Sequence, residues 1–170
     1  LQAPIVNAGA DQIVCENSAV TLSGSVSGGT NTGTWSGGLG TFDNANSLST
    51  VYHPDASETG TDVILTLTST NASPCPDLAD NISIRILNPL FYGNAGSDQT
   101  ICYGETPAKL IAQLPSGGSD TLNLTYQWQY LAGNGTIWQN VASGGNSRFY
   151  LPEPLMVTTS FRLQQTDNYC

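Results

Sequence analysis

The sequence predicts an all-β chain of two tandem antiparallel β-sandwiches. Three observations predict it: an internal repeat, apolar residues alternating with polar ones, and glycine pairs set between the alternating runs. Asn7-Ala8-Gly9-Ala10-Asp11-Gln12-Ile13-Val14-Cys15 returns 87 residues later as Asn94-Ala95-Gly96-Ser97-Asp98-Gln99-Thr100-Ile101-Cys102, with six of nine positions identical. A repeat of that length is one folding unit used twice, so the 170 residues divide into domains at 1–89 and 90–170, near Asn88-Pro89-Leu90.

Within each unit the period is two, as for strands buried on one face. Val20 and Leu22 alternate with Thr21 and Ser23, Val63, Leu65 and Leu67 with Ile64, Thr66 and Thr68, and Ile82, Ile84 and Ile86 with Ser83 and Arg85. In the second unit Leu124, Tyr126, Trp128 and Tyr130 form one such run, and Phe161 and Leu163 another. Turns are expected at Gly28-Gly29, Gly37-Gly38, Gly117-Gly118, Gly133-Asn134-Gly135 and Gly144-Gly145. No stretch has a helical period with caps, and short strands separated by Gly-rich turns describe a sandwich.

The units differ at their ends. After Cys75 the first continues through a clear last strand, Ala79 to Leu87, whereas the second reaches Cys170 without a counterpart. The second sandwich is therefore expected to lack its last strand, supplied either by following residues or by a neighbouring molecule at the open edge.

Four cysteines allow three pairings. The repeat makes Cys15 with Cys75 and Cys102 with Cys170 the simplest, reduced buried thiols being the alternative. Each bridge would tie the first strand to a loop at one pole, and disulfides persist in oxidising surroundings outside the cytoplasm.

Composition excludes several functions. Four Lys+Arg against thirteen Asp+Glu give a net charge of -9, which argues against binding nucleic-acid phosphates or an anionic membrane surface. No apolar run approaches the roughly 20 residues needed to cross a bilayer. Catalysis has little support. His53 is the only histidine and has no nucleophile at a motif spacing, while Asp55, Glu58 and Asp62 lie in a Ser/Thr/Gly-rich turn that reads as solubility rather than as a hydrolytic carboxylate pair. No cofactor is expected. Calcium is the one metal considered, with Asp11, Asp77, Asp80 and Asp98 as weak ligand candidates should their loops converge.

Trp35 and Trp128 are expected in the core, because Trp buries a large area and needs one polar partner. Trp138 alternates with Ile137, so one of the two faces out, and Trp138 and Tyr130 are the candidate ligand platform. Asp120-Thr121-Leu122 resembles the O-glycosylation motif of Bacteroidetes, which makes Thr121 a glycosylation candidate, and Lys109, the only lysine, makes an internal Lys–Asn bond improbable.

The two Asn-Ala-Gly-x-Asp-Gln openings resemble those of polycystic-kidney-disease (PKD) domains. Gly33-Thr34-Trp35-Ser36-Gly37-Gly38 through Phe42, followed by Val51-Tyr52-His53-Pro54, resembles the PKD-like and immunoglobulin-like (Ig-like) repeats of very large Bacteroidetes surface proteins. Tyr126-Gln127-Trp128-Gln129 with Trp138 resembles a second repeat type alternating with the first. This resemblance implies a non-enzymatic extracellular repeat segment on the cell surface, in a giant gliding-motility adhesin or another type IX secretion substrate, acting as a rigid stalk or spacer with an adhesive role. Its partners would be neighbouring repeats of the same chain, surface polysaccharide or other surface proteins. The rival readings are a carbohydrate-binding or spacer module of a secreted polysaccharide-degrading enzyme, and a strand-exchanged filament subunit.

Overall fold

The computed structural model describes residues 2–119 and 123–170. The chain separates into two compact units, Leu1–Pro89 and Leu90–Cys170. Each is all-β apart from one 3₁₀ turn in the first.

Unit 1 contains β1 (Ile5–Asn7), β2 (Gln12–Val14), β3 (Val20–Ser23), β4 (Ser25–Ser27), β5 (Thr32–Gly37), β6 (Thr41–Phe42), β7 (Ser49–His53), the 3₁₀ turn Ala56–Glu58, β8 (Asp62–Thr70) and β9 (Ala79–Ile86). One sheet has the order β2-β9-β8-β5, a second β3-β7-β6, and β1 pairs with β4. The period-two runs explain the core: Val63, Leu65 and Leu67 of β8 and Ile82, Ile84 and Ile86 of β9 point inward, while their neighbours Ile64, Ser83 and Arg85 face away. Twelve buried residues form this core, including Val20, Leu22, Trp35 and Tyr52. One pairing departs from an all-antiparallel plan: β2 runs parallel to β9, with Gln12 opposite Ile84 and Val14 opposite Ile86.

Unit 2 contains β10 (Leu110–Ile111), β11 (Leu124–Ala132), β12 (Gln139–Asn140), β13 (Phe149–Tyr150) and β14 (Thr159–Asp167). Its larger sheet has the order β12-β11-β14, and β10 pairs with β13. Among the described residues only Ala112, Trp128 and Val141 are buried in its core, with Tyr130, Tyr150, Phe161 and Leu163 packed against them half-covered.

The repeat is structural as well as sequential. Trp35 lies opposite Leu67 and Trp128 opposite Leu163. Each indole N–H donates to a backbone carbonyl in the following loop, that of Leu48 at 3.3 Å and of Ser147 at 2.9 Å. The N–H groups of Gly9 and Gly96 donate to Asn7 and Asn94 Oδ1, both at 2.7 Å. Gln12 and Gln99 side chains donate to the carbonyls of Thr21 and Ala108, and Ser18 and Glu105 N–H to those of Cys15 and Cys102.

Candidate functional site

The carboxylate cluster of unit 1 is a structural knot. Asp55 caps the 3₁₀ turn and Glu58 reaches back to the Asp55 N–H, a capping box. Glu58 is only 4% exposed. Its oxygens also accept from the Leu39 N–H at 2.7 Å and from the Tyr52 hydroxyl at 2.7 and 2.9 Å, so its charge is met by donors on three sides. Burial, together with the hydrogen bond to Glu58 and its charge, pushes the Tyr52 hydroxyl up to about 12. Gly38 has φ +66, and a Cβ there would collide with the Tyr52 ring, so this turn needs glycine. Asp62 lies apart, in an exposed ion pair with Arg85 at 3.1 Å. The three carboxylates face no common cleft. His53 Nε2 lies 2.8 Å from Asp43 Oδ1 on the exposed surface.

The cysteines correct the expected pairing. Cys75 and Cys102 are free thiols, and Cys15 and Cys170 are the disulfide-bonded cysteines. Strand direction is the reason. Cys15 follows β2, whose end lies beside the end of β9, whereas Cys75 precedes the start of β9. The eight residues of β9, at about 3.3 Å each, separate the two by far more than the roughly 4.4–6.8 Å between Cα atoms that a bridge tolerates. In unit 2, Gly104 and Glu105 hydrogen-bond to Leu155, ahead of β14, while Cys170 follows its far end. In both units the intended partners sit at opposite poles.

The weak calcium candidates serve the backbone or stand alone. Asp11 Oδ1 accepts from the Ser83 N–H and Asp80 Oδ2 from the Ala8 N–H, both at 2.8 Å, which pins β9 to the N-terminal segment. Asp77 lies in the exposed loop before β9, and Asp98 on the exposed segment of unit 2 that repeats Asp11. Among the described residues no three His, Cys, Asp or Glu side chains gather as a metal site.

Trp138 and Tyr130 do not form one platform. Tyr130 packs on the core of unit 2 and its hydroxyl donates to Gln139 Oε1 at 2.8 Å. Trp138 is half-buried on the opposite face, where the Arg162 guanidinium lies 4.4 Å above its ring and donates from Nε to Gln129 Oε1 at 2.7 Å. Gln129 in turn donates to Asn140 Oδ1. Of the Ile137/Trp138 pair, Ile137 is the one fully turned out. Thr121 lies outside the described residues.

Asp167, unanticipated from sequence, holds the far end of β14. Burial alone would raise its carboxyl, but hydrogen bonds from the Ser119 N–H and hydroxyl and from the Tyr169 and Cys170 N–H groups outweigh it and hold the group at about 2.

Unit 2 also carries a cavity of about 870 Å³ between the segment 95–103 and residues 155–161. Ile101, Cys102, Met156, Val157 and Phe161 supply its apolar lining and Asp98 its carboxylate. The same segment is β2 in unit 1 but belongs to no strand here, and among the described residues β14 pairs only with β11.

Comparison with known proteins follows the same division. A domain of unknown function, DUF8696, matches residues 92–170, close to the bounds of unit 2. No curated protein sequence matches the chain. The fold is similar to titin domains A168–A170 (14% identity, 97% of this chain and 60% of that one, TM-score 0.57). It is also similar to DIP-gamma IG1+IG2 (11% identity, 95% of each chain, TM-score 0.50) and to Sidekick-1 immunoglobulin domains 1–4 (14%, 98% of this chain and 48% of that one, TM-score 0.51). The two units are tandem Ig-like domains. No helix of the described residues is long and apolar enough to cross a membrane.

Proposed function

We propose that the chain is an extracellular segment of a large cell-surface protein, in which Ig-like units act as load-bearing stalk or spacer modules and hold an adhesive part away from the cell. The observation that carries this reading is the parallel pairing of β2 with β9. A pull applied through the two ends of unit 1 drags these neighbours in opposite directions along their length. Their ladder hydrogen bonds are then loaded together in shear rather than opened one by one. The twelve-residue core beneath them and the Asp11 and Asp80 pins resist the same slip. Disulfide-bonded cysteines support an oxidising location, and the Gly-Thr-Trp and Asn-Ala-Gly motifs favour the surface repeats of gliding and type IX-secreted proteins as the setting.

Force spectroscopy on the chain held at both ends, with Cys15 and Cys170 both replaced by Ser so that no cross-link carries the load past residues 16–169, tests this. Two unfolding steps of unequal force are expected, the stronger lost when Asp11→Ala and Asp80→Ala are combined. A single weak step, or recovery of the native protein from the cytosol alone, would overturn the reading. A carbohydrate-binding role is disfavoured because the half-buried Trp138 already has the Arg162 guanidinium over its ring.

A further inference from the structure

We infer that unit 2 carries, beside β13, a binding pocket for a small organic cation, an alkylammonium group with an apolar body, held between aromatic rings and a free carboxylate. The inference stands without the stalk reading. It starts from a difference in strand pairing. In unit 1, β6 pairs with β7, which sets Phe42 opposite Tyr52 with their rings 4.9 Å apart, and the Tyr52 hydroxyl closes onto Glu58. That side of unit 1 is filled. In unit 2 the corresponding strand turns the other way: β12 pairs with β11, Gln139 opposite Tyr130 and Asn140 opposite Gln129. Among the described residues β13 then has β10 as its one strand partner. The place that β6 takes in unit 1 is here a pocket of about 660 Å³ between β11, residues 141–144 and residues 150–157. Its opening follows from the path of residues 139–144, all of them within the described chain.

The lining selects the ligand. Tyr130, Tyr150 and Phe161 bring three half-buried rings to the pocket, with Tyr150 and Phe161 5.9 Å apart and tilted by 54°. Ring faces are negative and attract cations, most strongly where water is partly excluded. The carboxylate is that of Glu153. It comes from the segment between β13 and β14, as Glu58 comes from the segment between β7 and β8. Glu58 is saturated by donors, whereas Glu153 is exposed and among the described residues makes no hydrogen bond or ion pair. Burial, and after it the charge of Glu153, raises the Tyr150 hydroxyl above its ordinary value, so the carboxylate stands close to that ring. No Lys or Arg lines the pocket, and Lys109, Arg148 and Arg162 already lie over Phe149 and Trp138. An anion would be repelled by Glu153, and a neutral guest would leave its charge unmatched. Pro152 and Pro154 fix the backbone on either side of Glu153, so the rim is shaped before a ligand arrives. The volume falls within the roughly 300–1,000 Å³ of small-molecule sites, larger than an ammonium group alone needs, which is why the ligand has an apolar body.

The probe is choline, titrated into the full chain at constant ionic strength and compared with its neutral isostere 3,3-dimethylbutan-1-ol, with amide chemical shifts as the readout. Saturable choline binding is expected, with shifts concentrated at residues 130–132, 141–144 and 150–157, and the isostere should bind about tenfold more weakly or less. Glu153→Gln, on the exposed rim, should weaken choline binding about tenfold while leaving the thermal transition of unit 2 in place, and Tyr150→Leu should weaken it by a similar factor. Glu16→Gln removes the same charge from unit 1 and should leave binding unchanged, which separates the pocket from the general attraction of a chain with net charge -9. If Tyr150→Leu lowers the transition of unit 2, Glu153→Gln decides by itself. Isostere binding as tight as that of choline, shifts spread over both units without saturation, or choline binding indifferent to Glu153→Gln would each overturn the proposal.

Discussion

Unit 1 and unit 2 start from one motif and end with different cores. Unit 1 wraps both sides of β8 and buries twelve core residues; unit 2 leaves β14 with β11 as its one described partner and buries three. The Asn/Gly and Gln hydrogen bonds are the same in both. The opening motif is therefore a self-contained turn that forms with or without a strand to pair against. What depends on that strand is burial, the dominant favourable term in folding.

The largest effect that sharpens this contrast is expected in the two cores. Ile84→Ala should lower the stability of unit 1 by about 2–5 kcal/mol and leave the unit 2 transition in place. Phe161→Ala, at a half-exposed site, should cost unit 2 visibly less than that range. Urea denaturation of both variants, followed by fluorescence, decides this; equal losses would break the contrast. Next in size is the buried carboxylate. Glu58→Ala strands the Leu39 and Asp55 N–H groups and the Tyr52 hydroxyl, and should cost unit 1 about 3 kcal/mol, whereas Asp62→Ala on the exposed ion pair should cost about 1 kcal/mol or less.

Acid and alkali should separate the units next. Asp167 titrates near 2 when folded against about 3.9 unfolded, so its contribution to unit 2 is complete above pH 4 and is lost as pH falls from about 4 to 2. Asp167→Asn should flatten that limb. Tyr52 titrates near 12 when folded against about 10 unfolded. Its contribution to unit 1 is therefore complete below pH 10 and fades as pH rises through 12, a limb that Tyr52→Phe should remove. Thermal melts across both ranges check the pair. Smallest is the thiol change: Cys75→Ser should move stability within about 0.5 kcal/mol. It should lower the titratable thiols of the denatured, unreduced chain from two to one, and a count of zero in the parent would restore the intradomain bridges.

Sequence carried the strands of unit 1 well, because in β8 and β9 alternation and burial are one signal. Cysteine pairing was not legible, since spacing along the chain says nothing about whether the first strand runs with or against the last. Glu58 was read as solubility, though Asp55-x-x-Glu58 already holds the capping-box spacing; what the sequence hid was the Leu39 N–H arriving from a distant turn. Trp138 was placed correctly as one of an alternating pair, but the Arg162 covering it comes from a strand 24 residues later and leaves no local pattern.

One feature of the surface reaches beyond either fold. Lys109 and Arg148 both lie over the Phe149 ring, at 4.6 and 4.7 Å, and Arg162 lies over Trp138, so every cation of unit 2 rests on an aromatic ring. Among the described residues Arg85 pairs with the Asp62 carboxylate, and His53 lies beside that of Asp43. Nearly all of the chain's thirteen acids thus remain unneutralised. Copies of the chain brought close together would meet as like-charged colloids, kept apart by their counterion clouds.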